Sequence, residues 1–344
     1  MTSALVVGAG AVGAHAAAQL SDETGIDRVL VVDADSDRAA SVVDEVGGST
    51  AVSRWRPGSR FPSDLAVVVC ALPGDADVAV VTQAVEARIP AVTCSESITG
   101  VARLLDIDDA AREANVSVAV GAGLAPGLSE VLLRFATEGF DDVHEVHVAR
   151  SGVAGPACDA RRRRSLVETA TETVDGAVVE RSSAGGRRLV FFPPPVGPLD
   201  CRRSSSAVPL LARRVVPDLA AADFRLAVSW PEFLGWMVRM PVTHSRVRDL
   251  GAIHVEVRGR RGSSAEVEVF GLVDRMPVAT GTILATAAAW VAGLEGGGRP
   301  AGSAALGEIV EAGPFLASLR RRGVRVARFD GDAAADPEWR PDAA

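Results

Sequence analysis

Three glycines and one aspartate set out the first chemistry this chain can do. Gly8, Gly10 and Gly13 punctuate the stretch Gly8-Ala9-Gly10-Ala11-Val12-Gly13, which follows an apolar run from Ala4 to Val7 and opens a run of small residues. Each glycine answers a separate demand. Gly8 makes a tight turn, Gly10 lets the backbone approach a pyrophosphate, and Gly13 lets a helix pack close to a strand. Free amides at the start of that helix, with Ala11 and Val12 as candidates, would face the phosphates. Asp33 ends the next apolar run, Val29 to Val32, twenty residues after Gly13. An acid at that distance accepts hydrogen bonds from an adenosine ribose and repels a 2'-phosphate, so the pattern favours NAD over NADP. Ala34 beside it completes this group of cofactor candidates. Arg38, five residues beyond Asp33, would reach a phosphate and keeps NADP as the alternative. Glycine turns are common, and the strand before, the helix after and the acid beyond are what make this one specific.

The composition removes other chemistries. The chain has no Lys and no Tyr, so a lysine Schiff base, a lysine general base and a tyrosine acid are all excluded. A net charge of -8 gives no reason to expect nucleic acid. Cys70, Cys94, Cys158 and Cys201 lie far apart without a CxxC, which suggests neither a metal knuckle nor a disulfide framework. Reduced thiols in the cytoplasm are the expectation. The N-terminus lacks a basic leader, and the apolar run Val278 to Leu294 is short for a membrane span and rich in Ala, Thr and Gly, so a buried helix is expected there.

At 344 residues the chain can hold two cores, and its pattern changes part-way. After Asp33 come a helix at Ser36 to Val46, a strand at Asp64 to Ala71 and a helix at Asp75 to Arg88. A strand at Pro90 to Thr93, a helix at Val101 to Ala114 and a strand at Val116 to Val120 follow. Strict alternation of this kind predicts a doubly wound parallel sheet of the Rossmann type, with its ligand beyond the carboxyl ends of the strands. Those ends carry Gly8, Asp33, Ala71-Leu72-Pro73, Cys94-Ser95-Glu96 and Gly121-Ala122-Gly123. From about Gly139 strands succeed one another: Val143 to Ala149, Arg187 to Phe192, Phe224 to Ser229, Ile253 to Arg258 and Glu266 to Val273. Their polar and apolar alternation predicts an antiparallel sheet in an α+β domain. A long helix at Val278 to Leu294, a break at Gly296-Gly297-Gly298 and a helix near Phe315 to Arg321 close the chain, and the acidic, alanine-rich tail is expected to fray.

Several of these segments resemble the saccharopine dehydrogenase family. They are Gly121 to Ser129 (GAGLAPGLS), the Ala71-Leu72-Pro73 loop, Phe192 to Cys201 (FPPPVGPLDC) and the ending from Glu308 through Arg320-Arg321-Arg322-Gly323-Val324. The likeness covers most of the chain and is weakest between Val153 and Arg188. Many members carry Asp before the Pro-Gly; Ala125 stands here, as in the lysine 6-dehydrogenase-like branch. The resemblance implies an NAD(P)-dependent enzyme acting at a carbon–nitrogen bond of an amino acid, with a substrate domain inserted into the nucleotide-binding domain. The division it suggests is 1–127 for the dinucleotide domain, 128–276 for the inserted substrate-binding and dimerisation domain, 277–330 for helices returning to the first domain, and 331–344 for the tail. The expected partners are a small amino acid or imine and a second copy of the chain, with neither nucleic acid nor membrane.

The remaining candidates each carry an ordinary alternative. Leu72 and Pro73 would run beneath the nicotinamide, or simply end a strand. Ser95 and Glu96 would meet cofactor or substrate amine, or lie on a solvated loop. Pro126 and Gly127 sit at a helix start, where amides bind a carboxylate and where proline is favoured anyway. Arg161 to Arg164 and Arg202 are candidates for holding the substrate carboxylate, with Ser204 nearby in sequence, or else form a solvated face. Asp200 takes an acidic position facing the cleft in the resemblance, or is a turn acid beside Pro198. His144 and His147 point to opposite faces of one strand and cannot hold one metal, and no metal site is expected. His244 and His254 would relay a proton, and His15 packs near the glycine turn. The general acid or base is thus sought among Glu96, Asp200 and His254. A sensor or scaffold that binds NAD without turnover is the competing function.

Overall fold

The computed structural model describes residues 2–228, 250–296 and 300–329, and the expectations at His244, Gly297-Gly298 and the tail 331–344 lie outside them. The chain divides into two compact units, 1–128 with 277–318 and 129–276 with 319–344.

The first unit is built on seven parallel strands. They are β1 (Ser3–Val7), β2 (Arg28–Val32), β3 (Thr50–Val52), β4 (Leu65–Cys70), β5 (Ala91–Thr93), β6 (Ser117–Val120) and β15 (Gly302–Ala305). Their order is β15-β6-β5-β4-β1-β2-β3. The strands read as unbroken apolar runs because helices cover both faces, and Ala4 to Val6 and Val67 to Cys70 have no exposed surface. The covering helices are α1 (Ala11–Ser21), α2 (Ser36–Val46), α3 (Ala76–Glu86), α4 (Ile98–Leu105), α5 (Asp108–Ala114) and α9 (Met276–Ala292). Strand order reverses at β1, whose neighbours are β2 and β4. In open sheets that reversal opens a crevice at the carboxyl ends. The short α10 (Leu306–Ile309) and α11 (Ala312–Arg321) follow β15. Gly281 lets α9 lie against α1, since a Cβ there would sit 2.6 Å from His15 Cβ and 2.8 Å from the Val12 carbonyl oxygen. No described helix is long and apolar enough to cross a membrane.

Two sequence expectations are corrected in this part of the chain. The single helix expected over 101–114 is two, α4 and α5. Ser97 caps α4 early by accepting the Gly100 amide at 2.9 Å, and Asp108 and Asp109 supply the acidic first turn of a new helix. Asp108 also accepts the Ser303 amide at 2.8 Å, a bond across the chain that no local pattern announces. The return of the C-terminus is also only partial. β15 pairs with β6, but β16 (Ala327–Phe329) adds to the edge of the second sheet, where Arg328 meets Glu268 at 2.6 Å. An open strand edge is a ready template for such an addition.

The second unit carries a nine-stranded mixed sheet with the path β10-β11-β12-β7-β13-β14-β16, and β8 and β9 branch from β12. Its strands are β7 (Asp142–Arg150), β8 (Thr169–Val174), β9 (Ala177–Ser182), β10 (Arg188–Phe191), β11 (Pro198–Arg203), β12 (Ala221–Ala227), β13 (Leu250–Arg261) and β14 (Ser264–Arg275). Pairing is antiparallel except between β7 and β12, which run parallel and join two antiparallel halves. The expected antiparallel sheet is thus present with one parallel junction. Helix α6 (Leu128–Thr137) packs on the sheet through Phe135, edge-on to Phe270 with ring centroids 6.1 Å apart. α7 (Pro156–Ser165) and α8 (Val208–Val215) complete the unit.

Candidate functional site

The glycine turn links β1 to α1 at the crevice. Gly8 holds φ +106°, and its amide donates to the Val32 carbonyl at 2.8 Å. A Cβ on Gly8 would lie 2.5 Å from the Ala71 carbonyl oxygen, and one on Gly13 would overlap the Gly8 carbonyl. Both positions therefore exclude a side chain for reasons of packing. Gly10 differs, because nothing lies within 4 Å of where its Cβ would stand. Gly10 and Ala11 are exposed, and α1 begins at Gly10 without a side-chain cap. An open, uncapped helix start beside a bare glycine is what a pyrophosphate needs.

Asp33 ties the turn to the end of β2. Its Oδ2 accepts the Ala9 amide at 2.7 Å, and its Oδ1 accepts the Asp35 amide at 2.9 Å. Arg38 stands 3.4 Å from the same Oδ1 and, with about half its side chain exposed, is available at the surface. Ala34 is exposed beside it. Gly8, Gly10, Ala11, Val12, Gly13, Asp33 and Ala34 thus form one continuous rim, and these residues fit a bound dinucleotide. Ala71, Leu72 and Pro73 follow β4 against the same turn, with Leu72 Cδ2 3.3 Å from the Cβ position of Gly8.

The end of β5 adds Ser95 and half-buried Glu96. Ser95 is held from below by a pair that the sequence reading missed. Asp77 on α3 is fully buried and accepts a hydrogen bond from the Thr93 hydroxyl, and Thr93 Oγ1 accepts the Ser95 amide at 3.1 Å. Burial raises the Asp77 carboxyl to about 6 against the opposing pull of the Thr93 hydrogen bond. Asp77 reads in sequence as an ordinary first-turn acid, and only its place among apolar helix neighbours gives a hint of burial.

Pro126 and Gly127 are buried in a loop that closes on itself. Leu128 donates to the Gly123 carbonyl at 2.9 Å and Gly123 donates to the Pro126 carbonyl at 3.0 Å. The helix starts at Leu128, whose own amide is used within the loop.

In the second unit the substrate candidates are held by protein partners. Arg161, on α7, pairs with Glu168 at 2.5 Å. Arg202 donates to the Ala184 carbonyl at 2.9 Å, and Ser204 donates to Ser165 Oγ at 2.7 Å. Asp200 pairs with Arg187 at 2.9 Å at the surface. His254 Nδ1 lies 3.1 Å from the Phe191 carbonyl and its Nε2 3.6 Å from Glu256, whose carboxyl is lowered to about 2 by His254, with Arg258 adding to the effect against burial. A second missed group lies on the same sheet: His147 between Asp223 and Glu145, with Arg225 3.2 Å from Asp223 and Arg203 2.6 Å from Glu172. Alternation along β7 had marked His147 as facing away from His144 without showing what it would meet. Among the described residues no three His, Cys, Asp or Glu side chains gather as a metal site.

No protein-family model and no curated protein matches this chain. Among solved structures it is similar to apo saccharopine dehydrogenase (L-Glu forming) from Saccharomyces cerevisiae, at 12% identity and a TM-score of 0.69 over 96% of this chain and 100% of that one. Homospermidine synthase from Legionella pneumophila, solved with NAD, gives 11% identity and a TM-score of 0.71 over 100% of this chain and 95% of that one. The chain has a saccharopine dehydrogenase-like fold. Amine dehydrogenase from Mycobacterium smegmatis is also similar, at 13% identity and a TM-score of 0.54 over 90% and 96% of the two chains.

Proposed function

We propose that the protein is an NAD-dependent oxidoreductase acting on a carbon–nitrogen bond of an amino acid or of an imine derived from one. The observation that carries the cofactor is the Asp33 carboxylate bonded to the Ala9 amide, which locks the glycine turn in register with the end of β2. Gly10 leaves the approach to the turn open, the first amides of α1 would hold the pyrophosphate, and Asp33 would take ribose hydroxyls. A bound nicotinamide supplies the hydride chemistry, and the protein's part is to bind, orient and exclude water. Support for the substrate class comes from the saccharopine dehydrogenase, homospermidine synthase and amine dehydrogenase whose folds this chain shares. The test is a titration with NADH and NADPH, followed by a panel of amino acids, alone with NAD and paired with keto acids and NADH, read at the NADH absorbance. Turnover with one of them is the expected result; binding of NADH without turnover across the panel would remove the enzymatic reading.

A second reading, an NAD-binding sensor, draws on a separate observation. Asp200 and His254, two of the three groups sought as acid or base, are engaged by Arg187, the Phe191 carbonyl and Glu256. The same titration separates the two readings.

A further inference from the structure

A polar chain runs outward from the core of the first unit to the end of β5. Asp77 Oδ2 accepts a hydrogen bond from the Thr93 hydroxyl, and the Thr93 oxygen in turn accepts the Ser95 amide. Thr93 is thereby used in both directions. At the outer end of this network Ser95 Oγ has no hydrogen-bond partner among the described residues. Ser95 is only 3% exposed, and a buried hydroxyl left without a partner is costly unless a ligand supplies one. Nearby Asp75, by contrast, is spent on Ser97 and Thr99.

The strand order says which ligand. β1 carries the glycine turn, with β2 and Asp33 on one side and β4 and then β5 on the other. A dinucleotide with its pyrophosphate at the turn and its adenosine ribose at Asp33 must run its other half over β4 and β5. The Ala71 carbonyl packed beneath Gly8 and the pairing of Cys70 with Thr93 make that surface continuous as far as Ser95.

We propose that Asp77 is a positioning residue which, through Thr93, fixes the end of β5 so that Ser95 Oγ meets the nicotinamide nucleoside half of the cofactor. The inference rests on the NAD reading above. It assigns the two halves of the cofactor to separate parts of the site, which makes them separable by ligand. NADH spans both halves, whereas ADP reaches only the turn and Asp33.

The experiment measures NADH and ADP binding to the full chain by fluorescence or calorimetry. Thr93→Val and Ser95→Ala should each weaken NADH about five- to tenfold and leave ADP within about twofold. The double variant should bind NADH no more weakly than the weaker single one, because both changes act through one hydroxyl. Asp77→Asn keeps an oxygen facing Thr93 and should stay within about twofold of the unmodified chain, while Asp77→Leu should match Thr93→Val. Should Asp77→Leu not fold, Thr93→Val and Ser95→Ala carry the result. Unchanged NADH affinity in both, or equal losses for NADH and ADP, would overturn the inference and leave the cofactor reading standing. An unmodified chain that binds neither ligand would overturn both.

Discussion

His147 Nδ1 lies 2.8 Å from Asp223 Oδ2, across the one parallel pair of strands in the second sheet. Glu145 approaches the other ring nitrogen at 3.1 Å, and Arg225 and Arg188 flank Asp223. Burial opposes charge on both groups and is the largest single influence, but their mutual hydrogen bond and charge attraction, joined by Glu145 at His147 and by Arg225 and Arg188 at Asp223, together outweigh it. His147 is raised above its ordinary value of 6.5 and Asp223 is lowered below 3.8.

A raised histidine stabilises the fold fully below 6.5, and that contribution is lost as pH rises through its folded value. The lowered Asp223 stabilises above 3.8 and loses that contribution on acidification. His147→Gln should therefore lower stability by about 1 to 3 kcal/mol near pH 6, with the deficit shrinking toward about pH 8.5. Denaturant midpoints for the two proteins across that range test it; a deficit independent of pH would show that packing, not charge, is what His147 supplies.

Asp77 shares its sign with His147 and opposes Asp223. Its carboxyl is raised to about 6, so the fold is favoured by its protonated form, and the contribution is lost as pH climbs from 3.8 through about 6. Relative to the unmodified chain, Asp77→Asn should gain about 1 to 3 kcal/mol between pH 4 and pH 8. Melting temperatures of the pair recorded over that range should cross or converge at the acid end.

The glycine turn offers two contrasting substitutions. Gly13→Ala places a methyl inside the Gly8 carbonyl and should cost about 1 to 3 kcal/mol in stability. Gly10→Ala meets nothing within 4 Å and should leave stability within about 0.5 kcal/mol. The same methyl stands where the pyrophosphate approaches, and NADH affinity should fall at least about tenfold. Equal NADH binding by Gly10→Ala and the unmodified chain would place the pyrophosphate elsewhere.

Cofactor choice turns on Asp33 and Arg38. The carboxylate, 10% exposed and already bonded to two amides, should make NAD bind at least about tenfold more tightly than NADP. Asp33→Ser should close most of that gap, because the carboxylate that repels a 2'-phosphate is gone and Arg38, left with Asp35 alone at 3.4 Å, can turn to the phosphate. Parallel titrations of both cofactors measure the ratio directly.

By itself the sequence determined the five central strands of the first unit and its glycine turn, but not the edge strands β3 and β15 or the break between α4 and α5. Strands buried on both faces need long apolar runs, tight βα turns need glycine, and an acid at the end of β2 needs only correct spacing. Each is a local requirement written over a few neighbouring residues, so Gly8, Gly13 and Asp33 could be placed without coordinates. The second sheet was legible as strands but not as pairings. That β7 and β12 run parallel, and that β16 joins β14 after the chain has already returned to the first sheet through β15, depends on edges left open by distant segments. Only the tertiary structure decided the polar partners. Asp200 goes to Arg187, Arg161 to Glu168, His147 to Asp223 and Asp77 to Thr93. A charged side chain buried at a strand crossing or under a helix is satisfied by whatever the fold brings within about 3 Å, and residue type and spacing carry no record of that meeting.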